Sequence, residues 1–150
     1  MNLTLNSINK SESELPESPS KVTDKYWLYA KRQSNTYPEA TENSGKWLIF
    51  VPLIQIDTVW TQIKSATELG HLGSSSKVST AKQNPNSTNS SDKVICVHTY
   101  DWTDTDDVMR IRQNLRQLGI LSKIPYKSDN DTHAGKYINR GNKRISKYYE

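Results

Sequence analysis

Four groups of side chains in this sequence have types and spacing suited to handling phosphate or protons. Lys77-Val78-Ser79-Thr80-Ala81-Lys82 alternates polar groups along an extended stretch, and His98, Tyr100 and Asp101 close an apolar, β-branched run. Tyr126, Lys127, Asp129, Asp131, Thr132 and His133 follow a second such run. The fourth group is Lys136, Arg140, Lys143, Arg144 and Lys147, interleaved with Tyr137, Tyr148 and Tyr149. Basic groups attract phosphate, and aromatic rings offer faces on which bases stack. The same basic, aromatic pattern also serves as a solvated edge that keeps a sheet from pairing with a neighbour.

Trp102 stands between Asp101 and Thr103, just past a strand end, where it either covers a core edge or stacks on a planar ligand. Asp101, Asp104, Asp106 and Asp107 raise the question of a metal, but a calcium loop needs a central glycine and a distal glutamate. Carboxylates before a helix cap its free N–H groups and oppose its dipole, and that is the expected role here. The sequence holds no nucleophile elbow, phosphate-binding glycine loop, dinucleotide fingerprint or zinc spacing, and it implies no metal and no cofactor. His98 on a strand is read first as a satisfied buried histidine.

These groups are positioned by a unit from Val94 to Lys127. A strand, Val94-Ile95-Cys96-Val97-His98-Thr99, runs through the acids into a helix with Val108, Ile111, Leu115 and Leu118 on one stripe. Arg110, Arg112 and Arg116 lie off that stripe, Gly119 stops the helix, and Lys123 to Lys127 returns as a strand. Shifted back by 49 residues, the unit falls on a similar one: Asp106 on Asp57, Val108 on Val59, Leu118-Gly119 on Leu69-Gly70. That earlier unit has a strand at Trp47 to Val51, a helix with Val59, Trp60, Ile63 and Ala66 inward, and a strand at Lys77 to Thr80. Two β-α-β halves predict an α+β fold, a curved and mostly antiparallel sheet backed by helices on one face. The other face is then left for a ligand. Trp47 and Trp60 are expected in the core.

With 150 residues, 33% of them hydrophobic, the chain supports one domain with a modest core. Residues 1–24 are rich in Ser, Asn, Glu and Pro and read as a disordered or loosely attached tail, leaving residues 25–150 as the single domain. That tail carries two lysines against four carboxylates, so the positive balance of the +4 chain belongs to the domain. Lys25 to Ala30 starts it as a strand, residues 83–92 form a low-complexity loop, and short strands are expected near Lys136 to Ile138 and Arg144 to Tyr148. No stretch has the pattern of a signal peptide or a membrane span. Cys96 reads as a small buried thiol, and one cysteine without a partner places the expectation in the reducing cytoplasm.

Several blocks in order resemble the basophilic-leukaemia-expressed-protein family over about residues 25–149. They are Tyr26-Trp27-Leu28-Tyr29, Ser44-Gly45-Lys46-Trp47, Val59-Trp60 through Gly73, Lys77-Val78-Ser79-Thr80, Val94 to Val97, Asp107 to Arg110 through Gly119, and Tyr126-Lys127 to Tyr137. The fold that this resemblance implies is similar to that of the cap-binding translation initiation factor. Some bacterial members are labelled phosphothreonine lyase domain proteins. Such an enzyme needs a lysine to take the α-proton, a histidine to protonate the leaving oxygen and arginines for the phosphate. In this sequence Lys77, His98 and Arg112 would fill those roles. The leading expectation is a binding domain for a phosphorylated ligand, a nucleotide or RNA, held by Trp102, Arg112, Tyr126, Lys127, Lys136, Tyr137, Lys143 and Arg144. The alternatives are the lyase acting through Lys77 and His98, and a module whose basic edge docks an acidic protein.

Overall fold

Along Gly45–Pro52 the residues alternate between buried Trp47, Ile49 and Val51 and the more open Lys46, Leu48 and Phe50. That period of two marks a strand with one covered face. Six strands of this kind form one sheet in the computed structural model, which describes residues 17–83, 91–130 and 146–150. They are β1 Trp27–Lys31, β2 Gly45–Pro52, β3 Ser75–Ser79, β4 Asp92–Thr99, β5 Pro125–Ser128 and β6 Tyr148–Tyr149. The spatial order is β1-β3-β4-β2-β5-β6, and every neighbouring pair is antiparallel.

Two helices, α1 Ile56–Glu68 and α2 Thr105–Gln117, cover one face of this curved sheet. Each has 13 residues, and their ends keep the register read from the sequence, Ile56 with Thr105 and Glu68 with Gln117. The stripe Ile56, Trp60, Ile63 and Ala66 of α1 and the stripe Val108, Ile111 and Leu115 of α2 meet Trp47, Ile49, Val51, Val78, Ile95, Val97 and Tyr126 in one core. Trp47 and Trp60 are both buried there, as expected. Gly70 and Gly119, at φ of 82° and 98°, end the two helices in the left-handed region that a side chain disfavours.

The halves are interlocked. β4 lies between β2 and β3, the two strands of the first half, and β2 lies between β4 and β5, the two strands of the second. Each β-α-β unit is therefore split by a strand of the other.

Two expectations are revised. Residues 17–24, assigned to the tail, dock instead: Pro19–Lys21 form a turn of 3₁₀ helix, and Val22 is buried in the core. The backbone N–H of Ser20 donates to Asp57 at 2.9 Å, and the Ala81 N–H donates to the Pro19 carbonyl at 3.0 Å. Among the described residues the last strand is Tyr148–Tyr149, with Ser146 and Lys147 outside it, and Arg144 lies outside the described residues. The strand expected near Lys136 to Ile138 lies outside the described residues.

Candidate functional site

Strand alternation sends half of each strand to the face without helices. On β1 these are Trp27, Tyr29 and Lys31; on β3, Ser75, Lys77 and Ser79; on β4, Val94, Cys96 and His98; on β2, Lys46, Leu48 and Phe50. The register then builds rows across the sheet. Lys77 lies opposite Tyr29 on one side and Cys96 on the other, and Cys96 opposes Leu48. His98 opposes Lys46, which opposes Lys127 of β5. Three lysines and a histidine thus share one face. Tyr29 and Phe50, 62% and 59% exposed, flank it, whereas Cys96 and Lys127 toward its middle are buried.

The charges on this face are held in defined ways. The Lys77 ammonium rests 4.2 Å from the centre of the Trp27 ring, and among the described residues it has no carboxylate partner. Lys46 Nζ pairs with Asp129 Oδ1 at 2.7 Å, and the Ser44 hydroxyl donates to Asp129 Oδ2 at 2.7 Å. Burial pushes the Asp129 carboxyl up, but the Lys46 and Ser44 hydrogen bonds outweigh it and hold the group below its ordinary value. Burial lowers His98 to about 4, helped by the positive charges of Lys46 and Lys77 and opposed by Asp129. His98 is therefore neutral near pH 7. Burial raises the Cys96 thiol to about 11, with Lys77, Lys46 and Lys127 pulling the other way, so it is no nucleophile as it stands. Gly73 closes against this region: a Cβ there would collide with the main-chain carbonyl oxygen of His98.

Of the residues named from the sequence, Lys77, His98 and Lys127 come together on this open face. Tyr126 does not. It is fully buried on the helix face, its hydroxyl 2.6 Å from that of Thr99 and its ring edge-on to Trp47 at 5.3 Å. Arg112 is also fully buried, on α2 behind the sheet. Its guanidinium donates to the carbonyls of Glu150 at 2.9 Å, Ile120 at 2.9 Å and Ser122 at 2.8 Å. Those bonds engage its fork in the fold, away from any ligand on the open face. Trp102 packs against the core edge, with the Lys147 ammonium 4.4 Å from its ring and its carbonyl accepting from the Tyr148 hydroxyl at 2.7 Å. Lys136, Tyr137, Lys143 and Arg144 lie outside the described residues.

The residues that sequence reasoning passed over are Lys46 and Tyr29. Lys46 was legible, because it alternates with Trp47, Ile49 and Val51 and must face away from the core. The acid cluster is spent on local structure. Asp104 accepts from the Asp107 N–H at 3.2 Å as the cap of α2, Asp101 accepts from the Thr103 N–H at 2.8 Å, and Asp107 accepts from the Tyr37 hydroxyl at 2.5 Å. Among the described residues no helix is long and apolar enough to cross a membrane.

Comparison with known proteins bears on this arrangement. A family model described as basophilic leukemia-expressed protein Bles03 matches residues 16–135. Among solved structures, schistosome eIF4E complexed with m7GpppA and 4E-BP aligns over 100% of this chain and 81% of its own, at 13% identity and a TM-score of 0.64. The complex of schistosome eIF4E with m7GpppG and 4E-BP gives 14% identity over the same shares, again at a TM-score of 0.64. These two share the fold described above. C. elegans eIF4E-3, in complex with the 4E-binding protein Mextli and a cap analog, is 28% identical over 61% of this chain, with a TM-score of 0.48. The chain spans 54% of that protein's length.

Proposed function

The chain belongs to the Bles03 family, and for this member we propose the binding of a phosphorylated ligand, a nucleotide or RNA, on the open face of the sheet. The observation that carries the reading is the register of Lys77, His98, Lys46 and Lys127 on adjacent strands, with Trp27 and Tyr29 beside them. Ammonium groups on neighbouring strands meet a phosphate from more than one side, and the aromatic margin supplies surface for a base. Neutral His98 adds a ring nitrogen that donates or accepts without adding charge. The fold is that of the schistosome eIF4E structures, which are complexes with m7GpppA and m7GpppG. Nucleotide binding is carried from them to this chain as part of the proposal.

Titration with single-stranded RNA and with a nucleoside triphosphate, at several salt concentrations and followed by tryptophan fluorescence, tests it. Affinity for RNA should fall steeply with salt, and Lys77→Ala should reduce the salt slope by roughly one unit. Lys136→Ala, Lys143→Ala and Arg144→Ala belong in the same series. Undetectable binding of both probes overturns the reading.

A second reading is favoured by one observation. Lys77 and His98 share the open face on adjacent strands, His98 lying two residues beyond Lys77's cross-strand partner Cys96. A lysine for the α-proton and a neutral imidazole N–H for the leaving oxygen on neighbouring strands support a reading as elimination of phosphate from phosphothreonine. Release of phosphate from a phosphothreonine peptide by the native protein, abolished in Lys77→Ala, would establish the lyase in place of the binding domain.

A further inference from the structure

The two edges of the sheet are unequal. β6 at one edge is two residues long, whereas β1 at the other is five residues long and contains neither proline nor glycine. Edge strands are ordinarily blunted by proline, bulges, brevity or charge, and of these β1 has only Lys31 at its end. The bonds to β3 fix which of its main-chain groups are spent. Thr80 N–H donates to the Tyr26 carbonyl at 3.0 Å and Arg32 N–H donates to the Ser74 carbonyl at 2.9 Å. In an antiparallel pair bonded positions alternate, so positions 26, 28, 30 and 32 face β3. The N–H and C=O groups of Trp27, Tyr29 and Lys31 therefore point outward from the sheet.

A groove of about 440 Å³ runs along this edge, lined by Lys25, Tyr26, Trp27, Leu28 and Tyr29 together with Glu17, Trp60 and Lys64. Trp27 and Tyr29 belong to the open face, Leu28 and Trp60 to the helix face. The groove thus wraps the strand edge from both sides, as the space for an added strand would.

Charge selects the occupant. Lys25 pairs with Glu17 at 2.9 Å and Lys64 with Glu68 at 3.1 Å, while Asp24 adds a further carboxylate beside Lys25. Lys31, Lys77 and Lys82 have no carboxylate partner among the described residues, the last two resting on the rings of Trp27 and Tyr26 at 4.2 and 4.4 Å. We propose that β1 is a docking strand for an extended acidic segment of a partner protein, which joins the sheet through the outward groups of Trp27, Tyr29 and Lys31. Its side chains alternate, apolar ones toward Leu28 and Trp60 and acidic ones toward Lys31 and Lys77. A second copy of this chain is the poorer occupant, because antiparallel pairing of two β1 strands brings the same unpaired lysines to both sides of the joint.

The probe is an acetylated, amidated heptapeptide alternating glutamate and valine, with the lysine–valine analogue as control. Amide hydrogen exchange of the full chain is read residue by residue. Saturation with the acidic peptide should slow exchange at Trp27, Tyr29 and Lys31 by at least about tenfold and leave Leu28 and Ala30, already bonded to β3, nearly unchanged. Tyr29→Pro deletes one outward N–H without removing a bond to β3, so it should keep the melting temperature and weaken the peptide by about tenfold. Lys31→Glu should reverse the preference between the two peptides. Failure of the acidic peptide to bind, binding without protection at those three amides, or equal binding of the lysine peptide each overturns the proposal. So does protection that appears without peptide and grows with protein concentration, since the occupant would then be a second copy. If Tyr29→Pro fails to fold, the exchange experiment on the native chain decides alone.

Discussion

Arg112 shows how a side chain that attracts a phosphate reading can be committed elsewhere. Its guanidinium joins α2 to the turn at Ile120 and Ser122 and to the C-terminal Glu150, in a site with no solvent exposure. Arg112→Ala leaves three carbonyls without that donor, and denaturant titration should show a loss of roughly 3–5 kcal/mol. Arg112→Lys should recover little, since a single ammonium cannot reproduce the planar fork. His98 makes a different prediction. Its folded value of about 4 lies below the ordinary 6.5, so between those values the unfolded chain binds a proton that the folded chain does not. Stability should therefore fall as pH is lowered from about 6.5 toward 4, by up to roughly 3 kcal/mol. Asp129, whose folded value is depressed, loses its contribution at lower pH, below the 3.8 of a free aspartate. Stability profiles of native protein and His98→Gln separate the two, because the glutamine variant should be flat through the upper window and keep the lower fall.

At the scale of the element, the helices agree with each other in length and register but not in how they begin. α2 is capped by its own Asp104, which accepts from the Asp107 N–H. α1 has Gln55 at its start with no side-chain cap bond, and its Asp57 receives the Ser20 N–H from outside the helix. Asp104→Ala should cost about 1–2 kcal/mol, and Asp104→Asn much less, because asparagine keeps an acceptor oxygen. Thermal melts of the two variants check this. The helices and the inner strands were legible because apolar spacing carries their covered faces, and Leu-Gly marks both helix stops. Val22 and the bond from Arg112 to Glu150 were not, since each depends on contacts distant in sequence and leaves no local pattern. Within the candidate site, His98 and Lys77 could be read from their strands. The pairing of β3 with β4 that makes them neighbours could not, because no periodicity specifies which strands become neighbours.

For the whole molecule, the interlock of the two halves decides what can fold alone. In the first half β1 pairs with β3, but β2 touches neither, since its partners are β4 and β5. In the second half β4 has no partner of its own, since it lies between β3 and β2. The apolar faces of β2 and β4, with Trp47, Ile49, Val51, Ile95 and Val97, are covered only when both halves are present. A chain cut between residues 83 and 91 should therefore give two pieces that each lack a cooperative thermal transition. Mixed, they should recover the β-sheet circular dichroism and one cooperative melt, with a midpoint that rises with concentration because association has become part of folding. A cooperative melt in either isolated piece would show that one half completes its own core, and the interlocked sheet would then be two separable units.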